Sequence, residues 1–215
     1  MIQLEVWGPY ALFTRGEMKV ERVSFDVPTP SAARGIVEAV YRHPGMRWVI
    51  RRIYVLNPIE FTTIRRNEVK SKILGSTAMR IAQGKEDESY LVTTKQIVQR
   101  ASMVLTNVHY VIEAEFEMLP EKAAPGDNPG KFQDIITRRM RKGQCFSTPY
   151  FGCREFPAHF KQWEGGPIPT IDETRDLGFM LYDFDYSDPQ NITPLYFRAK
   201  MEHGVIQVAG CEVFR

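Results

Sequence analysis

Three segments in the first half of the chain have the hydrophobic pattern of β-strands. Residues 2–7 alternate apolar and polar side chains and stop at a Gly-Pro turn signal. Residues 48–56 are apolar apart from two arginines, which suits a strand with little exposure to water. Residues 108–116 alternate most regularly, with apolar side chains at the even positions and His109 and glutamates between them. This alternation predicts a sheet with one face in the core and the other facing water or a partner.

Two segments have the apolar spacing of amphipathic helices. The first begins at Thr29, a good N-cap residue, followed by Pro30 at the first helical position, and it ends before a Pro-Gly pair. Its apolar stripe consists of Ala33, Ile36, Val37, Val40 and Tyr41. The second helix follows the turn-rich residues 124–130, and its stripe consists of Phe132, Ile135, Ile136 and Met140. We expect both stripes to pack in the core.

The element order strand, helix, strand, strand, helix, strand predicts an α+β protein. Residues 1–145 are expected to form a ferredoxin-like (RRM-like) domain, an arrangement common among RNA-binding modules that does not by itself assign a function. Residues 146–215 contain further strand patterns at residues 177–184, 192–201 and 205–208. They predict an appended C-terminal antiparallel β-sheet. The polar residues 64–102 fit no element and are expected to be an inserted hairpin or loop.

Composition narrows the class of protein. The 215 residues are 43% hydrophobic and 25% charged, which suits a globular chain that buries its own core. No apolar run approaches the roughly 18 to 20 residues that cross a bilayer, so we expect a cytoplasmic protein without a membrane partner. Three cysteines without C-x-x-C spacing indicate neither disulfides nor a zinc site. Since metal-ligand, P-loop and G-x-S-x-G motifs are absent from the sequence, no metal and no other cofactor are expected.

Positive charge is modest overall but clustered. The net charge of +2 and the pI near 8.4 do not by themselves indicate a nucleic-acid binder. Two basic runs stand out: Arg51, Arg52, Arg65, Arg66, Lys70 and Lys72, and then Arg138, Arg139, Arg141 and Lys142. Each run is either a solvated charged face or a stripe that tracks phosphates.

Lys131 and Tyr41 occupy positions that favour chemistry. Lys131 lies in the first turn of the second helix, where the macrodipole disfavours a cation by a few tenths to about 1 kcal/mol. Free backbone N–H groups there bind phosphate, and a lysine beside them could grip a scissile phosphate or protonate a leaving oxygen. A lysine that contacts only solvent fits the spacing equally well. Tyr41 is either a core tyrosine with a solvated hydroxyl or a catalyst.

Five segments, in order along the chain, resemble one protein family. They are GPYALFTRGEMKVERVSFDVPTPSAARGIVEAVYRHP from Gly8, IRRNEVKSKI from Ile64, NVHYVIEAEFEM from Asn107, GKFQDIITRRMRKGQCFSTPYFGCREF from Gly130 and DLGFMLYDFDY from Asp176. Together they resemble the CRISPR-associated Cas-five family of type I-C (Dvulg) systems, within the repeat-associated RNA-binding superfamily.

The resemblance implies an endoribonuclease that cuts the repeat hairpin of precursor CRISPR RNA. In such proteins the product stays bound by its 5′ repeat tag, and the protein joins the backbone and large subunits of a surveillance complex. The implied reaction needs no metal, because the 2′-hydroxyl before the scissile bond attacks its own phosphate. It leaves a 2′,3′-cyclic phosphate and a 5′-hydroxyl.

The resemblance also implies a catalytic set. It consists of a tyrosine at the end of the first helix and a lysine followed by histidine at the start of the second. Tyr41 in AVYRHP and Lys131 in PGKFQD match the first two positions. The third position is Phe132, which exchanges no proton and falls on the apolar stripe of its helix. Either Tyr41 and Lys131 act with help from nearby His43, or the chain cuts slowly. Loss of one acid–base group, worth roughly 10²- to 10⁴-fold, would still leave single-turnover cleavage measurable.

Charge pattern and resemblance together define the RNA-binding candidates. These are Arg15, Lys19, Arg22, Arg34, Arg65, Arg66, Lys70, Lys72, Arg138 and Arg139. Tyr10, Phe13 and Phe25 are candidates for stacking on bases. Two other functions stay open. One is a non-catalytic subunit that caps the 5′ tag of the guide RNA, which Phe132 favours, and the other is binding of double-stranded DNA, which charge does not distinguish from RNA binding.

Overall fold

The computed structural model describes residues 1–18, 20–85 and 89–215. The strands within these residues are β1 (Ile2–Ala11), β2 (Arg22–Val23), β3 (Met46–Val55), β4 (Glu60–Val69), β5 (Ile97–Met118), β6 (His159–Gln162), β7 (Arg175–Asp185), β8 (Thr193–Glu202), β9 (Val205–Gln207) and β10 (Val213–Phe214). The α-helices are α1 (Pro30–Val40), α2 (Gly75–Ala82), α3 (Thr93–Gln96) and α4 (Pro129–Lys142). No helix among these residues is long and apolar enough to span a bilayer.

The described strands form one large sheet. Its main path runs β10-β8-β9-β3-β5-β1-β6, with β2, β4 and β7 paired at its sides. The pairings along this path are antiparallel. This mixture of helices with a large antiparallel sheet confirms the expected α+β class.

The first strand continues beyond the Gly-Pro pair that was expected to end it. β1 extends to Ala11 and stays paired with β5, from Ile2 opposite Ala114 to Ala11 opposite Leu105. Its other neighbour, β6, pairs only with the segment from Leu4 to Trp7. Pro9, which has no backbone N–H, therefore lies where one edge of β1 has no strand partner, and the strand tolerates it there.

Both predicted amphipathic helices form and pack against the sheet. The Thr29 hydroxyl accepts a hydrogen bond from the backbone N–H of Ala32 at 3.1 Å, which confirms the expected N-cap of α1. α1 packs against β3 and β7, and α4 packs against β6. Gly143 ends α4 in the left-handed region at φ 61, a conformation that glycine adopts at low cost. The ends of these two helices, where α1 stops and α4 starts, meet near the sheet.

The described residues between 60 and 106 form an extended β-arm. β4 pairs with the first half of β5, from Glu60 opposite Thr106 to Val69 opposite Ile97. Neither α2 nor α3, which lie between these strands in the chain, has a buried residue. The expected insertion is therefore a hairpin. Its strands lack a clear apolar alternation because most of their side chains face solvent.

The predicted C-terminal strands form as β7, β8 and β9, and they pair antiparallel. They do not make a separate sheet, because β9 pairs with β3 from Tyr54 opposite Val205 to Arg52 opposite Gln207. β6, which also lies beyond residue 145, pairs with β1. The C-terminal third of the chain thus extends the sheet at both sides.

Candidate active site

The end of α1 and the start of α4 bring Tyr41 and Lys131 into one site. Tyr41 is the C-cap of α1, where its backbone N–H donates to the carbonyl of Val37, and it is only 5% exposed. Lys131 lies in the first turn of α4, and its backbone N–H donates to the N-cap side chain of Asn128 at 2.9 Å. The positive charge of Lys131 acts on the Tyr41 phenol. The fold therefore brings these two side chains close enough to interact, and their catalytic role stays a prediction.

A buried carboxylate holds the Lys131 side chain in place. Lys131 Nζ donates to Asp127 Oδ1 at 2.8 Å, and the backbone N–H of Ala124 donates to Asp127 Oδ2 at 2.8 Å. The Asp127 side chain is 1% exposed, whereas that of Lys131 is 47% exposed. The hydrogen bond from Lys131 lowers the pKa of Asp127, and the same bond raises the pKa of Lys131. Lys131 thus presents a positioned, protonated ammonium group to solvent.

Sequence reasoning missed Asp127. The available signal was its position four residues before Lys131 and directly before the N-cap Asn128. An acid four residues before a lysine forms such a pair when both lie on one helix. Because Asp127 precedes the helix, within the turn-rich residues 124–130, helical spacing alone did not predict the contact.

Phe132, at the position where the family resemblance implies a histidine, is a core residue. It is 0% exposed, which confirms that its place on the apolar stripe puts it in the core. Its ring centroid lies 4.8 Å from that of His43 and 6.1 Å from that of Tyr41. Phe132 therefore packs beneath the candidate site and has no polar atom to offer it.

His43 lies at the same site. Its Nδ1 accepts a hydrogen bond from the backbone N–H of Gly45 at 3.1 Å, and it lies 3.7 Å from Asp127 Oδ2. The bond from Gly45 positions the imidazole ring, and the distance to Asp127 exceeds that of a hydrogen bond. His43 is therefore oriented by the backbone of the turn that follows α1.

Tyr41 is held as a neutral phenol. Burial raises its pKa above the ordinary value near 10, and the charges of Lys131 and Arg139 oppose that rise without cancelling it. The Arg139 guanidinium lies 5.2 Å from the Tyr41 ring centroid and donates to the carbonyl of Val40 at 2.7 Å. At neutral pH both Tyr41 and Lys131 are proton donors, so the site offers positive charge and hydrogen-bond donors to an anion.

A family model described as CRISPR-associated protein (Cas_Cas5), named Cas_Cas5d, matches residues 1–209 of this chain. The chain belongs to the Cas5d family. This confirms the family resemblance of the five sequence segments, and the match spans both the helix ends at the site and most of the C-terminal strands.

Two relatives with the Cas5d name are similar over nearly the full chain. The protein from Mannheimia succiniciproducens is 46% identical, with 96% of this chain and 94% of the relative covered. The protein from Thermus thermophilus is 36% identical, with 96% of this chain and 90% of the relative covered. Both relatives are named CRISPR pre-crRNA endoribonuclease Cas5d.

Two crystal structures share the fold of this Cas5d chain. One is a functionally uncharacterized protein from Streptococcus mutans, with a TM-score of 0.70 and 22% identity. The other is described as a CRISPR-associated protein, with a TM-score of 0.70 and 23% identity. Each alignment covers 100% of this chain and 96% of the other. At these identities the similarity concerns the fold alone.

Five of the ten predicted RNA-binding residues are engaged by other parts of the Cas5d chain. Arg15 pairs with Asp26, Arg22 with Glu68, Arg34 with Asp183 and Arg66 with Glu155, and Arg139 donates to the carbonyl of Val40. Most of these contacts join different elements, as Arg34 does between α1 and β7. Their guanidinium groups therefore serve the fold, and a phosphate would have to compete with these partners.

Four of the remaining candidates are exposed. Arg65, Lys70, Lys72 and Arg138 make no side-chain hydrogen bond or ion pair within the described part of the chain. Arg65 and Arg66 are consecutive on β4, so their side chains lie on opposite faces and do not form one stripe. The tenth candidate, Lys19, lies outside the described residues.

Two of the three aromatic stacking candidates are buried. Phe13 is 3% exposed and Phe25 is 5% exposed, so the expectation that they stack on bases is wrong. Phe13 packs against Phe151, and the Arg15 guanidinium covers the Phe25 ring at 4.6 Å. Tyr10 is partly exposed and stays a candidate.

Proposed function

We propose that this chain is a cytoplasmic, metal-independent endoribonuclease that cuts the repeat hairpin of precursor CRISPR RNA. The observation that carries the proposal is the exposed Lys131 ammonium, held by Asp127 at the start of α4 beside Tyr41. A fixed cation at the positive end of a helix dipole suits a phosphate. The 46% identity to a protein named CRISPR pre-crRNA endoribonuclease supports the same substrate.

In the proposed reaction, the 2′-oxygen of the nucleotide before the cut bonds to the adjacent phosphorus, and the bond to the 5′-oxygen of the next nucleotide breaks. Lys131 stabilises the negative charge that builds on the phosphate oxygens in the transition state. Because Tyr41 and Lys131 are both protonated, either can supply the proton that the leaving 5′-oxygen takes up. The 2′-hydroxyl proton passes to water, and the products carry a 2′,3′-cyclic phosphate and a 5′-hydroxyl.

The rest of the proposal concerns the fold of the N-terminal part and the way in which RNA and partner subunits bind. The strand order β3-β5-β1-β6, with α1 and α4 as its helices, supports a ferredoxin-like (RRM-like) arrangement for residues 1–145, completed by β6 from the extension of residues 146–215. The exposed Arg65, Lys70, Lys72 and Arg138 bind backbone phosphates. After cleavage, the chain holds the 5′ repeat tag and joins the backbone and large subunits of the type I-C surveillance complex.

The test is cleavage of a labelled cognate repeat hairpin by the pure protein in excess EDTA. We expect one cut, with a 5′ fragment that polynucleotide kinase can dephosphorylate at its cyclic end. A parallel reaction with added magnesium controls for metal dependence and should proceed at the same rate. Strict dependence on magnesium or manganese would remove the cyclic-phosphate mechanism.

The burial of Phe132 favours a second candidate function, that of a non-catalytic subunit. Phe132 is fully buried where the family's catalytic set has a histidine, so this chain lacks one group that exchanges protons. A non-catalytic subunit that caps the 5′ tag of the guide RNA fits that loss. Tight binding of the repeat hairpin without any cut would favour the cap. Equal affinity for double-stranded DNA of the same sequence would add DNA as a partner.

A further inference from the structure

Phe146 is an exposed aromatic residue on a firmly attached loop. It is 72% exposed, although a large apolar side chain on the surface gains little from folding. Its backbone N–H donates to the carbonyl of Ala39 at 2.9 Å, and the backbone N–H of Ser147 donates to the same carbonyl at 3.0 Å. These bonds fix the loop that follows α4 to the last turn of α1. Neither the Tyr41–Lys131 site nor the core uses the Phe146 side chain.

Phe146 borders two neighbouring cavities. One cavity, of about 420 Å³, lies along α1 and reaches Tyr150. The other, of about 530 Å³, reaches His43 and Trp48. Each is large enough for a nucleobase with its sugar, and Phe146 lines both.

A free cation lies at the same place. Arg42 follows Tyr41 in the chain, lines both cavities and is exposed, and its guanidinium has no hydrogen-bond or ion-pair partner in the part of the chain that the structure describes. Lys122 lines the second cavity and is also exposed. Glu38 lines both cavities as well, and it shares the Arg34 guanidinium, 3.6 Å away, with Asp183. At the second cavity the two exposed cations, Arg42 and Lys122, outnumber this one carboxylate, so the charge there favours an anion.

The cavities adjoin the candidate active site. The carbonyl of Val40, one residue before Tyr41, lies 3.3 Å from the Phe146 backbone N–H. His43, whose ring packs on Phe132, lines the second cavity. Because His43 lies 3.7 Å from Asp127, which holds Lys131, a nucleotide in the second cavity would lie near the Lys131 ammonium.

We propose that Phe146 stacks on an unpaired nucleobase of the repeat RNA next to the cut, and that Arg42 binds the phosphate of that nucleotide. Every base has a π-face, so an exposed aromatic ring with an adjoining guanidinium suits a single-stranded nucleotide. The inference rests on the proposed RNA substrate and adds a positioning subsite to it. Its role is to hold the scissile phosphate at Lys131.

An abasic scan of the repeat hairpin tests the subsite through binding. Single abasic nucleotides are placed in turn at each unpaired position, and affinity is measured by fluorescence anisotropy. The RNA carries one 2′-deoxy nucleotide before the cut if the protein cleaves it, and is unmodified if not. With the unaltered protein, one abasic position should weaken binding by roughly 5- to 150-fold, which is the effect of losing one stacked base.

Phe146→Ala should weaken binding of the intact hairpin by a similar factor and make that abasic position neutral, while Phe146→Trp should restore the original pattern. Phe179→Ala is the matched control, because Phe179 is 58% exposed on β7 and lines neither cavity. It should behave as the unaltered protein does. Circular dichroism of each variant checks that folding is unchanged.

The outcomes separate this inference from the proposed function. The protein could cut the hairpin while Phe146→Ala makes no abasic position neutral. That result contradicts the stacking subsite alone and indicates that Phe146 contacts a protein partner instead. A protein that shows the expected pattern yet never cuts supports the subsite and contradicts the endoribonuclease. Absence of binding to any repeat RNA contradicts both.

Discussion

The Lys131 side chain is the cation that a bound phosphate can reach at this site, and its removal should separate chemistry from binding. Because Lys131 acts on charge that builds only in the transition state, Lys131→Ala should lower the single-turnover cleavage rate by roughly 10²- to 10³-fold. Affinity for the uncut hairpin should largely survive, since that charge is absent before reaction. Rate at saturating protein and affinity by filter binding measure the two effects.

Lys142→Ala is the matched control for this change. Lys142 lies in the last turn of the same helix and is exposed, about 16 Å from Lys131 by helical rise. It should leave the cleavage rate unchanged. If Lys131→Ala instead lowers affinity in step with rate, then Lys131 grips RNA and the chemistry belongs elsewhere.

Phe132 leads to a prediction about stability. Phe132→His should lower the free energy of unfolding by about 1–3 kcal/mol, because a polar ring without a partner replaces an apolar one in the core. It need not speed cleavage, since the new ring would lie beneath the site among His43, Tyr41 and Phe116. Urea unfolding and single-turnover rates are the measurements, with Phe132→Leu as an apolar control. A large gain in rate without loss of stability would mean that position 132 faces the substrate.

At the scale of single residues, the sequence predicts which residues of a helix are buried better than it predicts the contacts of charged residues. Helical spacing placed Phe132 in the core, and the helix start placed Lys131 at an N-terminus, because both depend on local periodicity. Asp127 was missed because its burial comes from the path of a turn. The internal partners of Arg15 and Arg34, Asp26 and Asp183, follow from the tertiary fold and leave no local pattern.

Among the elements, the β-arm carries most of the exposed basic candidates. Replacing Arg65, Lys70 and Lys72 with alanine should weaken RNA binding and flatten its salt dependence by roughly 0.7 to 0.9 log units per lost phosphate contact. Cleavage at saturating protein should recover, because these residues do not act on the scissile phosphate. Affinity measured across a series of salt concentrations gives the slope. Slower saturated cleavage with an unchanged slope would place the chemistry on the arm.

Arg66 provides a control within the arm. Its side chain is 16% exposed and pairs with Glu155 at 3.1 Å, so it ties β4 to the loop before β6. Arg66→Ala should change the stability of the fold more than the salt slope. The two neighbouring arginines, which the sequence groups into one basic run, therefore have different expected effects.

The elements themselves follow from the sequence to different degrees. α1 and α4 were predictable to within a residue or two, since Thr29 and Pro30 mark one start and the turn-rich residues 124–130 precede the other. β5 was predicted only in its second half. Residues 97–106 pair in the exposed arm, and their apolar and polar side chains do not alternate clearly. An apolar pattern marks a strand only where one face is buried.

On the scale of the whole molecule, the two parts of the chain share one sheet and one core. Phe197 and Met180 from the C-terminal strands belong to the same buried cluster as Leu4 and Ile112. Sequence patterns indicated an appended sheet, but they carry no information on which edge joins which strand. The pairing of β9 with β3 and of β6 with β1 is therefore a result of the tertiary structure.

The central claim is that the substrate's own 2′-hydroxyl is the nucleophile at a site made by Tyr41 and Lys131. The most direct measurement compares the cognate repeat hairpin with the same RNA carrying one 2′-deoxy nucleotide just before the cut, both in excess EDTA. The account predicts that cleavage is abolished while affinity is unchanged, because only the attacking oxygen is missing. Cleavage of the 2′-deoxy hairpin at the normal rate would show that water is the nucleophile and would contradict the account.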